Sequence, residues 1–535
     1  MERIATSKIQ LQPMHLDHQE TSAATDIEIK LKKYRYLIAL VIILMVVGVL
    51  VLVTIPVVQN RSLPKKLKYG IVLDAGSSHT ALYIYSWPAE KVNDTGIVTE
   101  VDSCKVKGPG ISSYWNDIEQ AGKSLKVCLD KAKERVPEKQ QYVTPVYLGA
   151  TAGMRLLRSQ NQALAEQLMK SVQEFIKTYP FNFQGAQIIT GQEEGVFGWI
   201  TVNYLMENIG KDNAGGNPET EGALDLGGAS TQITFVPGEK IESEESALKM
   251  RLYGKSYNIY THSYLCYGKD QALKLLLEKL DNGQGDKAVG RRSRISPEIT
   301  DNGTILNPCF NKGYIRTINV TELFNSPCTS AQHNIIQQMV RIIGTGNFDQ
   351  CDRYIRSIFN FSVCTWSSCS FNGVYQPKVH GKFGAFSAYY FVMDFFNLTS
   401  EKPYDLSTAQ QRVKAFCLKP WAEVKNSFST NEKYLSENCF AGQYILSLLQ
   451  NYNFTSSNWK TIMFLRKIKG TNAGWTLGYM MNLTNMIPAE QPYTKPLTNA
   501  SYLTVMVIFS IFVFFLLLIG FLIFKKKIFK AQDKF

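Results

Sequence analysis

Two long uncharged segments, one near each end of the chain, constrain what this sequence can fold into. Residues 37–58 and 502–524 contain 22 and 23 residues without a charge, and each is long enough to cross a bilayer core of ~30 Å at ~1.5 Å per residue. The alternative is a pair of buried core helices. The positive-inside rule places both tails, residues 1–36 and 525–535, in the cytosol, because basic residues flank the segments on those sides: Lys30, Lys32, Lys33, Arg35, Lys525, Lys526 and Lys527.

The segment between the two spans, residues 59–501, resembles a secreted domain in its residue types. All ten cysteines lie in it, and an even number in an oxidising compartment predicts five disulfides. Their spacings do not match a zinc site. Nine N-glycosylation sequons lie there and none in the tails. Asn60 and Asn499 adjoin the membrane, so we expect sugars at the other seven: Asn93, Asn302, Asn319, Asn360, Asn397, Asn453 and Asn482.

The composition and hydrophobic pattern indicate a globular α/β protein. A chain of 535 residues favours two lobes. The net charge of +13 comes from scattered residues, and no nucleic-acid-binding motif is present. Apolar strand-like runs alternate with helical patterns, including helices at 120–136 and 159–178. We expect a disordered tail at residues 1–29, a surface loop at 209–221 and a polar, glycine-rich insertion at 281–306.

Two similar motifs, "LDAGSS" and "LDLGGASTQ", follow apolar strands about 150 residues apart. Such a turn points backbone N–H groups and hydroxyls at one spot, which is how proteins bind phosphate. Asp74 and Asp225 would repel phosphate directly, so we expect them to hold a divalent cation through its water molecules. One such motif alone is more typical of an ordinary β-turn. Two copies predict a clamp for a polyphosphate and its metal.

Three further features could complete such a site. "LGATAGMRLL" offers Thr151 and Ala152 to a phosphate, although small residues here are equally typical of tight strand–helix packing. "GQEEG" places two carboxylates in a glycine-bounded loop, where Glu194 could act as a general base toward water; a solvated helix start is the alternative. His79 could donate to a terminal phosphate or be structural. The sequence contains no HExxH, GxSxG, Walker or kinase HRD motif.

Five ordered motifs give the chain a resemblance to a known family. "DAGSSHT", "GATAGMRLL", "ITGQEEGVFGWI", "ALDLGGASTQ" and "AGWTLGYMMNLTN" are similar to the five apyrase conserved regions of the ecto-nucleoside triphosphate diphosphohydrolases, or ecto-apyrases. The resemblance covers residues 65–524 and is closest to the doubly anchored cell-surface members, in particular the vascular, type-one branch. It implies an actin-like fold with two ribonuclease-H-like lobes, one at 65–190 plus 466–500 and the other at 191–465.

The resemblance also implies roles for individual residues. Glu194 would be the general base, and Ser230 and Gln232 would orient the attacking water. Asp74 and Asp225 would hold hydrated Ca²⁺ or Mg²⁺ near Trp475. The phosphates would be lined by Ser77, Ser78, His79, Thr151, Ala152, Gly227, Gly228 and Ala229. The base would stack on Tyr389, Tyr390, Phe391 and Tyr434, which could also be core residues; one related member has arginine at the last position. The disulfides would be Cys104–Cys128, Cys266–Cys328, Cys309–Cys351, Cys364–Cys369 and Cys417–Cys439.

The implied activity is metal-dependent hydrolysis of ATP, ADP, UTP and UDP to the monophosphate by direct attack of water, outside the plasma membrane. It would end purinergic signals. Alternatives are a lumenal nucleoside diphosphatase of the secretory pathway, a nucleotide-binding ectodomain without turnover, and a kinase-like or chaperone-like relative of actin. Homo-oligomers could form through the spans, although neither contains GxxxG.

Overall fold

The structure is a computed structural model that describes residues 18–59, 67–89, 97–209, 219–281, 304–321, 326–329, 339–399, 404–486 and 497–532. The chain divides into two compact units. One comprises Met1–Lys65 and Gln491–Phe535, and the other comprises Lys66–Glu490. Residues 210–218 of the predicted surface loop at 209–221 and residues 282–303 of the predicted insertion at 281–306 are not among the described residues. Those two predictions therefore lie largely outside the described residues, and residues 304–306 of the insertion are a strand.

The terminal unit contains two long helices, α1 (His18–Gln59) and α15 (Asn499–Gln532). Each contains a segment long and apolar enough to cross a membrane, Arg35–Gln59 and Asn499–Lys526. The prediction of disorder up to residue 29 was wrong from His18 onward. The sequence from there to the span contains no glycine or proline, so a helix that has started in the span extends by one hydrogen bond per added residue.

The two long helices contact one another at a glycine, and a glutamine at the end of α1 binds the backbone just before α15. A Cβ atom on Gly48 would lie 2.7 Å from a methyl carbon of Val513, so this approach requires glycine. The Gln59 side chain, only 4% exposed, binds the backbone of Leu497 twice. Its Nε2 donates to the carbonyl oxygen over 2.7 Å, and its Oε1 accepts from the N–H over 3.2 Å.

A five-stranded sheet forms the first half of the larger unit, with strand order β3-β2-β1-β4-β5. The first three strands form an antiparallel meander, and β4 and β5 continue it in parallel with β1. The strands are β1 (Leu67–Ala75), β2 (Thr80–Pro88), β3 (Thr99–Lys105), β4 (Pro145–Ala150) and β5 (Asn182–Ile188).

A six-stranded sheet repeats this topology in the second half, with order β14-β13-β6-β7-β9-β8. Strands β6, β7 and β9 are antiparallel neighbours, while β13 and β14 run parallel to β6. The repeat makes β6 the counterpart of β1. The strands are β6 (Gly222–Leu226), β7 (Ser230–Phe235), β8 (Ala247–Leu252), β9 (Lys255–Leu265), β13 (Phe383–Ser387) and β14 (Ile462–Phe464).

The remaining described strands form two smaller sheets. The strands β10 (Thr304–Asn307), β11 (Ile315–Asn319) and β12 (Met339–Gly344) form a three-stranded sheet, and β15 (Lys467–Ile468) pairs with β16 (Thr471–Asn472).

Two helices, α7 (Gly191–Leu205) and α14 (Trp475–Met486), pack against one another and share one core with both large sheets. That core takes Val72 from the first sheet and Ala223 from the second. The remaining helices are α2 (Ile118–Lys123), α3 (Lys126–Arg135), α4 (Glu138–Gln141), α5 (Ala152–Gln160), α6 (Gln162–Lys177), α8 (Lys269–Asp281), α9 (Phe348–Arg356), α10 (Ala388–Phe395), α11 (Leu406–Cys417), α12 (Trp421–Ser427) and α13 (Glu432–Asn451).

The predicted α/β class is confirmed, and the helix predicted at 159–178 appears as α6. The helix predicted at 120–136 is two helices, which meet at Ser124 and Leu125. All ten cysteines are paired, in the same order that the family resemblance implies.

The sequons differ in their surroundings. Asn360, Asn397 and Asn453 are exposed, whereas Asn319 and Asn482 are half-buried. Asn60, Asn93 and Asn302 lie outside the described residues, and Asn499 is the first residue of α15.

Candidate active site

The first phosphate-type loop follows β1, whose last residues are Asp74 and Ala75. A Cβ atom on Gly76 would lie 2.8 Å from the carbonyl oxygen of His79, so glycine permits the tight turn. Ser77 is half-buried, and Ser78 and His79 are exposed. Partial desolvation lowers the pKa of His79, and Lys105 lowers it further against the opposing effect of Asp270.

The second loop follows β6 in the equivalent way. Asp225 pairs in register with Gln232 across the turn, and the Gly227 N–H donates to the Ser230 carbonyl over 2.9 Å. The two loops face each other closely, because a Cβ atom on Gly228 would lie 2.8 Å from Ser77 Oγ. The topological repeat thus brings the two sequence motifs together at one cleft.

The third small-residue turn, at Thr151 and Ala152, is buried. The Thr151 N–H donates to the carbonyl of Ala75, so it is not free for a ligand. Ala152 is 3% exposed and packs with Ala229 and Leu156 in a small core. The methyl groups of Ala152 and Ala229 are thus buried, and the phosphate-lining roles of Thr151, Ala152 and Ala229 stay predictions.

Glu194 lies in the first turn of helix α7 rather than in a loop, which corrects the predicted loop. Thr190 and Glu193 form a reciprocal capping box, so the first glutamate of "GQEEG" caps the helix. The second, Glu194, is 7% exposed, which excludes a solvated helix start. Gly191 and Gly195 are one turn apart and face strands β7 and β9. Added Cβ atoms there would lie 2.3 Å from Ser263 and 2.5 Å from Thr234 Oγ1.

Arg155, in helix α5, binds three groups at once. Its Nη2 donates to Glu194 Oε2 over 2.8 Å and to Ser230 Oγ over 3.0 Å. Its Nη1 donates over 3.0 Å to the carbonyl of Ile189, just before α7. The side chains of Arg155 and Glu194 are 10% and 9% exposed. The guanidinium therefore fixes the carboxylate and the serine relative to each other.

Gln232 completes this cluster from strand β7. Its Nε2 lies 2.8 Å from Ser230 Oγ, 2.9 Å from Ser263 Oγ and 3.1 Å from Glu194 Oε2. Glu194, Ser230 and Gln232, named from the sequence, therefore lie in one hydrogen-bonded group.

Three carboxylates, those of Asp74, Glu194 and Asp225, lie close enough to affect one another's charge. Burial raises the pKa of Asp74 well above its usual range, and Glu194 and Asp225 add to this. Burial, followed by Glu194, raises the pKa of Asp225 to about 7, against a lowering contribution from the Ser387 side chain. Trp475 donates to Asp74, yet Asp74 Oδ1 is buried without a protein partner.

These residues fit a hydrated divalent cation. An orphaned carboxylate oxygen among like charges is suited to a hard cation that keeps water ligands. Within the residues described, no cluster of three or more His, Cys, Asp or Glu side chains forms a direct metal site. The Trp475 ring packs directly against strand β4 at Gly149, where an added Cβ atom would lie 2.4 Å from the ring.

The four aromatic residues predicted to stack on a base do not share one environment. Tyr389 is fully buried, and its Oη lies 3.2 Å from Thr231 Oγ1, so its assignment as a stacking residue was wrong. The start of α10 turns this side chain inward and the next two outward. Tyr390 is half-buried, whereas Phe391 and Tyr434 are 60% and 53% exposed.

Three residues of the site were not predicted from the sequence. Arg155 and Ser263 bind the group formed by Glu194, Ser230 and Gln232, and Ser387 binds Asp225. Arg155 lies inside "GATAGMRLL", so its place one turn after the small-residue loop was a usable signal. Ser263 and Ser387 gave no signal, because only strand pairing brings them to Gln232 and Asp225.

Comparisons with known proteins agree with this arrangement. Residues 60–496 match the family model described as GDA1/CD39 (nucleoside phosphatase). The chain is 50% identical over 483 residues to ectonucleoside triphosphate diphosphohydrolase 1 of Mus musculus, covering 88% of this chain and 92% of the relative. It is 48% identical over 441 residues to ectonucleoside triphosphate diphosphohydrolase 8 of Gallus gallus, covering 81% of this chain and 86% of the relative.

A solved structure supports the fold. A nucleoside triphosphate hydrolase from Neospora caninum superposes with a TM-score of 0.57 at 14% identity, covering 78% of this chain and 93% of that chain. The family match extends over most of the chain and includes both loops and the Glu194 cluster. The chain therefore belongs to the GDA1/CD39 (nucleoside phosphatase) family.

Proposed function

We propose that this protein is an apyrase that hydrolyses extracellular nucleoside tri- and diphosphates to the monophosphate and phosphate. The observation that carries the proposal is the joint placement of a buried glutamate, a serine and a glutamine beside two facing phosphate-type loops. The sequence similarity to ectonucleoside triphosphate diphosphohydrolases supports the same reaction.

In the proposed reaction, water attacks the terminal phosphorus and the bond from phosphorus to the bridging oxygen breaks. Both described bonds to the Glu194 carboxylate go to Oε2, so Oε1 is the oxygen that takes the proton from water. Ser230 accepts from Arg155, which leaves its own hydroxyl proton free to bind the water or phosphate. The backbone N–H groups and hydroxyls of the two loops bind the phosphates and stabilise charge as it develops.

A Ca²⁺ or Mg²⁺ ion held through water by Asp74 and Asp225 would supply charge neutralisation for the phosphates. The nucleobase would stack on Tyr390, Phe391 and Tyr434. The phosphates would be lined by Ser77, Ser78, His79, Thr151, Ala152, Gly227, Gly228 and Ala229. A diphosphate would bind with its terminal phosphate at the same water, so one site serves both steps.

We further propose that both spans cross the plasma membrane with both tails in the cytosol, as the flanking basic residues favour. The five disulfides of the larger unit suit an oxidising exterior. We assign residues 65–190 and 466–500 to one lobe and 191–465 to the other, a division supported by the two repeated sheets.

The test uses intact cells without endogenous nucleotidase activity that express the full chain. ATP or ADP is added with Ca²⁺ or with EDTA, and phosphate and nucleotides are measured in the medium. We expect metal-dependent release that ends at the monophosphate and falls ~10² to 10⁴-fold in Glu194→Gln. Glu193→Gln is the matched control, because glutamine keeps the capping box. Nucleotide binding without phosphate release, or undiminished activity of Glu194→Gln, would contradict the proposal.

A further inference from the structure

The hydrogen-bond capacity of the Gln232 amide is smaller than the number of its neighbours. An amide NH₂ carries two hydrogens, but three acceptors lie within 3.1 Å of Nε2: Ser230 Oγ, Ser263 Oγ and Glu194 Oε2. Ser230 already accepts a hydrogen from Arg155. Which acceptors receive the two hydrogens decides how strongly the amide binds Ser230 and Glu194, the two groups that would contact the attacking water.

Ser263 is the one of these three acceptors that is not proposed to contact the water. It lies on strand β9, directly across from Gln232 in the antiparallel pair. Its position is fixed from the other side by helix α7, because a Cβ atom on Gly191 would lie only 2.3 Å from its Cβ and Oγ. The serine is thus held between the strand of Gln232 and the helix of Glu194.

We propose that Ser263 is a positioning residue that sets the orientation of the Gln232 amide. Its hydroxyl accepts one amide hydrogen, so that the amide cannot direct both hydrogens to Ser230 and Glu194. One amide hydrogen therefore remains for the groups that contact water. This inference rests on the proposed hydrolase function, in which Gln232 orients the attacking water.

The first test measures steady-state kinetics of Ser263→Ala and of Ser263→Cys in the full-length membrane protein with ADP and Ca²⁺. The cysteine variant preserves the volume beside Gly191 and replaces the hydroxyl with a weak acceptor. We expect kcat to fall about tenfold in both, as for one lost hydrogen bond, while KM changes by less than about twofold. The matched control is Thr261→Val on the same strand, whose hydroxyl pairs with Thr234; it should retain kcat.

A double-mutant cycle distinguishes positioning from a general packing effect. In a Gln232→Ala background, Ser263→Ala should cause no further loss of kcat, because the residue it orients is already absent. Full kcat in Ser263→Cys, or an additive loss in the double variant, would overturn the inference. Wild-type turnover with a strong Glu194→Gln defect is measured beside these variants. If the wild type does not hydrolyse nucleotide, the proposed function fails; if it does and Ser263→Cys is unimpaired, only this inference fails.

Discussion

Arg155 Nη2 lies 2.8 Å from Glu194 Oε2, and this ion pair joins helix α5, which follows the fourth strand of the first sheet, to helix α7. Both side chains are about nine-tenths buried. Because the same nitrogen also binds Ser230 on the second sheet, one guanidinium connects elements of both sheets at the cleft.

Arg155→Ala should therefore impair both activity and stability. Removing one partner of a buried ion pair costs about 3–5 kcal/mol, and the freed carboxylate would no longer be held for proton transfer. We expect kcat for ADP to fall about 10²-fold, with a lower midpoint of thermal unfolding. Arg158→Ala, an exposed arginine on the same helix, is the control and should behave as wild type. Equal kinetics for the two variants would contradict the assigned role.

The cation-free protein should lose stability as the pH rises toward neutrality. The pKa of Asp225, about 7, exceeds its ordinary value. The folded state therefore binds a proton more tightly than the unfolded state between about pH 4 and 7. Through that window the free energy of unfolding falls with increasing pH, and the loss is complete above the raised pKa. Thermal unfolding in EDTA at pH 4.5, 6 and 8 measures this dependence.

Asp225→Asn removes the titrating group and serves as the comparison. In EDTA at pH 8 it should be more stable than the wild type, by an amount on the order of 1.4 kcal/mol per unit of raised pKa. The difference should shrink toward pH 4.5. Adding Ca²⁺ at pH 8 should stabilise only the wild type. A less stable Asp225→Asn protein in EDTA at pH 8 would refute this account of the cleft charges.

Gly195→Ala should displace the helix that carries Glu194. The added methyl would lie 2.5 Å from Thr234 Oγ1 and 2.8 Å from Thr261 Oγ1, both on strands. Relief of this contact requires a shift of α7 or of the two hydrogen-bonded threonine side chains beside it, so we expect kcat to fall at least about tenfold and the unfolding free energy by about 1–3 kcal/mol. Gly238→Ala, where an added Cβ would meet nothing within 4 Å, should be silent in both measurements.

The exposed aromatic residues should govern substrate affinity rather than the chemical step. Phe391→Ala and Tyr434→Ala remove surface rings, and we expect KM for ADP to rise about 5- to 10-fold for each, as for loss of a stacking contact of about 1–1.5 kcal/mol. kcat should be nearly unchanged. Tyr389→Ala instead deletes a fully buried ring and should reduce expression and stability. If Tyr389→Phe raised KM more than Phe391→Ala, the stacking assignment would be wrong.

Much of the fold was predictable because the repeated strand–turn–strand motif has a strong local signature. Asp74 and Asp225 end apolar strands in the same way, and a repeated topology places them at equivalent positions. The alternation of strands and helices gave the α/β class. The disorder predicted for residues 1–29 was wrong from His18 onward because composition does not show how far a helix extends beyond its apolar part.

The site was predictable only where one motif carried the chemistry. The glycines of "GQEEG" looked like the ends of a loop, although they form one face of a helix that packs against hydroxyl groups of β7 and β9. Tyr389 and Phe391 are two residues apart and equally aromatic, so only the turn of α10 distinguishes the buried ring from the exposed one. Ser263 is separated from Gln232 by 31 residues and meets it through strand pairing.

The contact of Gln59 with the backbone of Leu497 makes residues 60–496 a loop whose two ends are fastened together. If the paired helices remain in the bilayer while the rest of the chain unfolds, that loop stays closed. For 437 residues, the interval from 60 to 496, the chain-entropy treatment of a cross-link gives about 6 kcal/mol of lost freedom in the unfolded chain. Helices α1 and α15 would then restrict the unfolded chain as a cross-link does. A protein that lacks both helices would begin refolding from a far larger set of conformations.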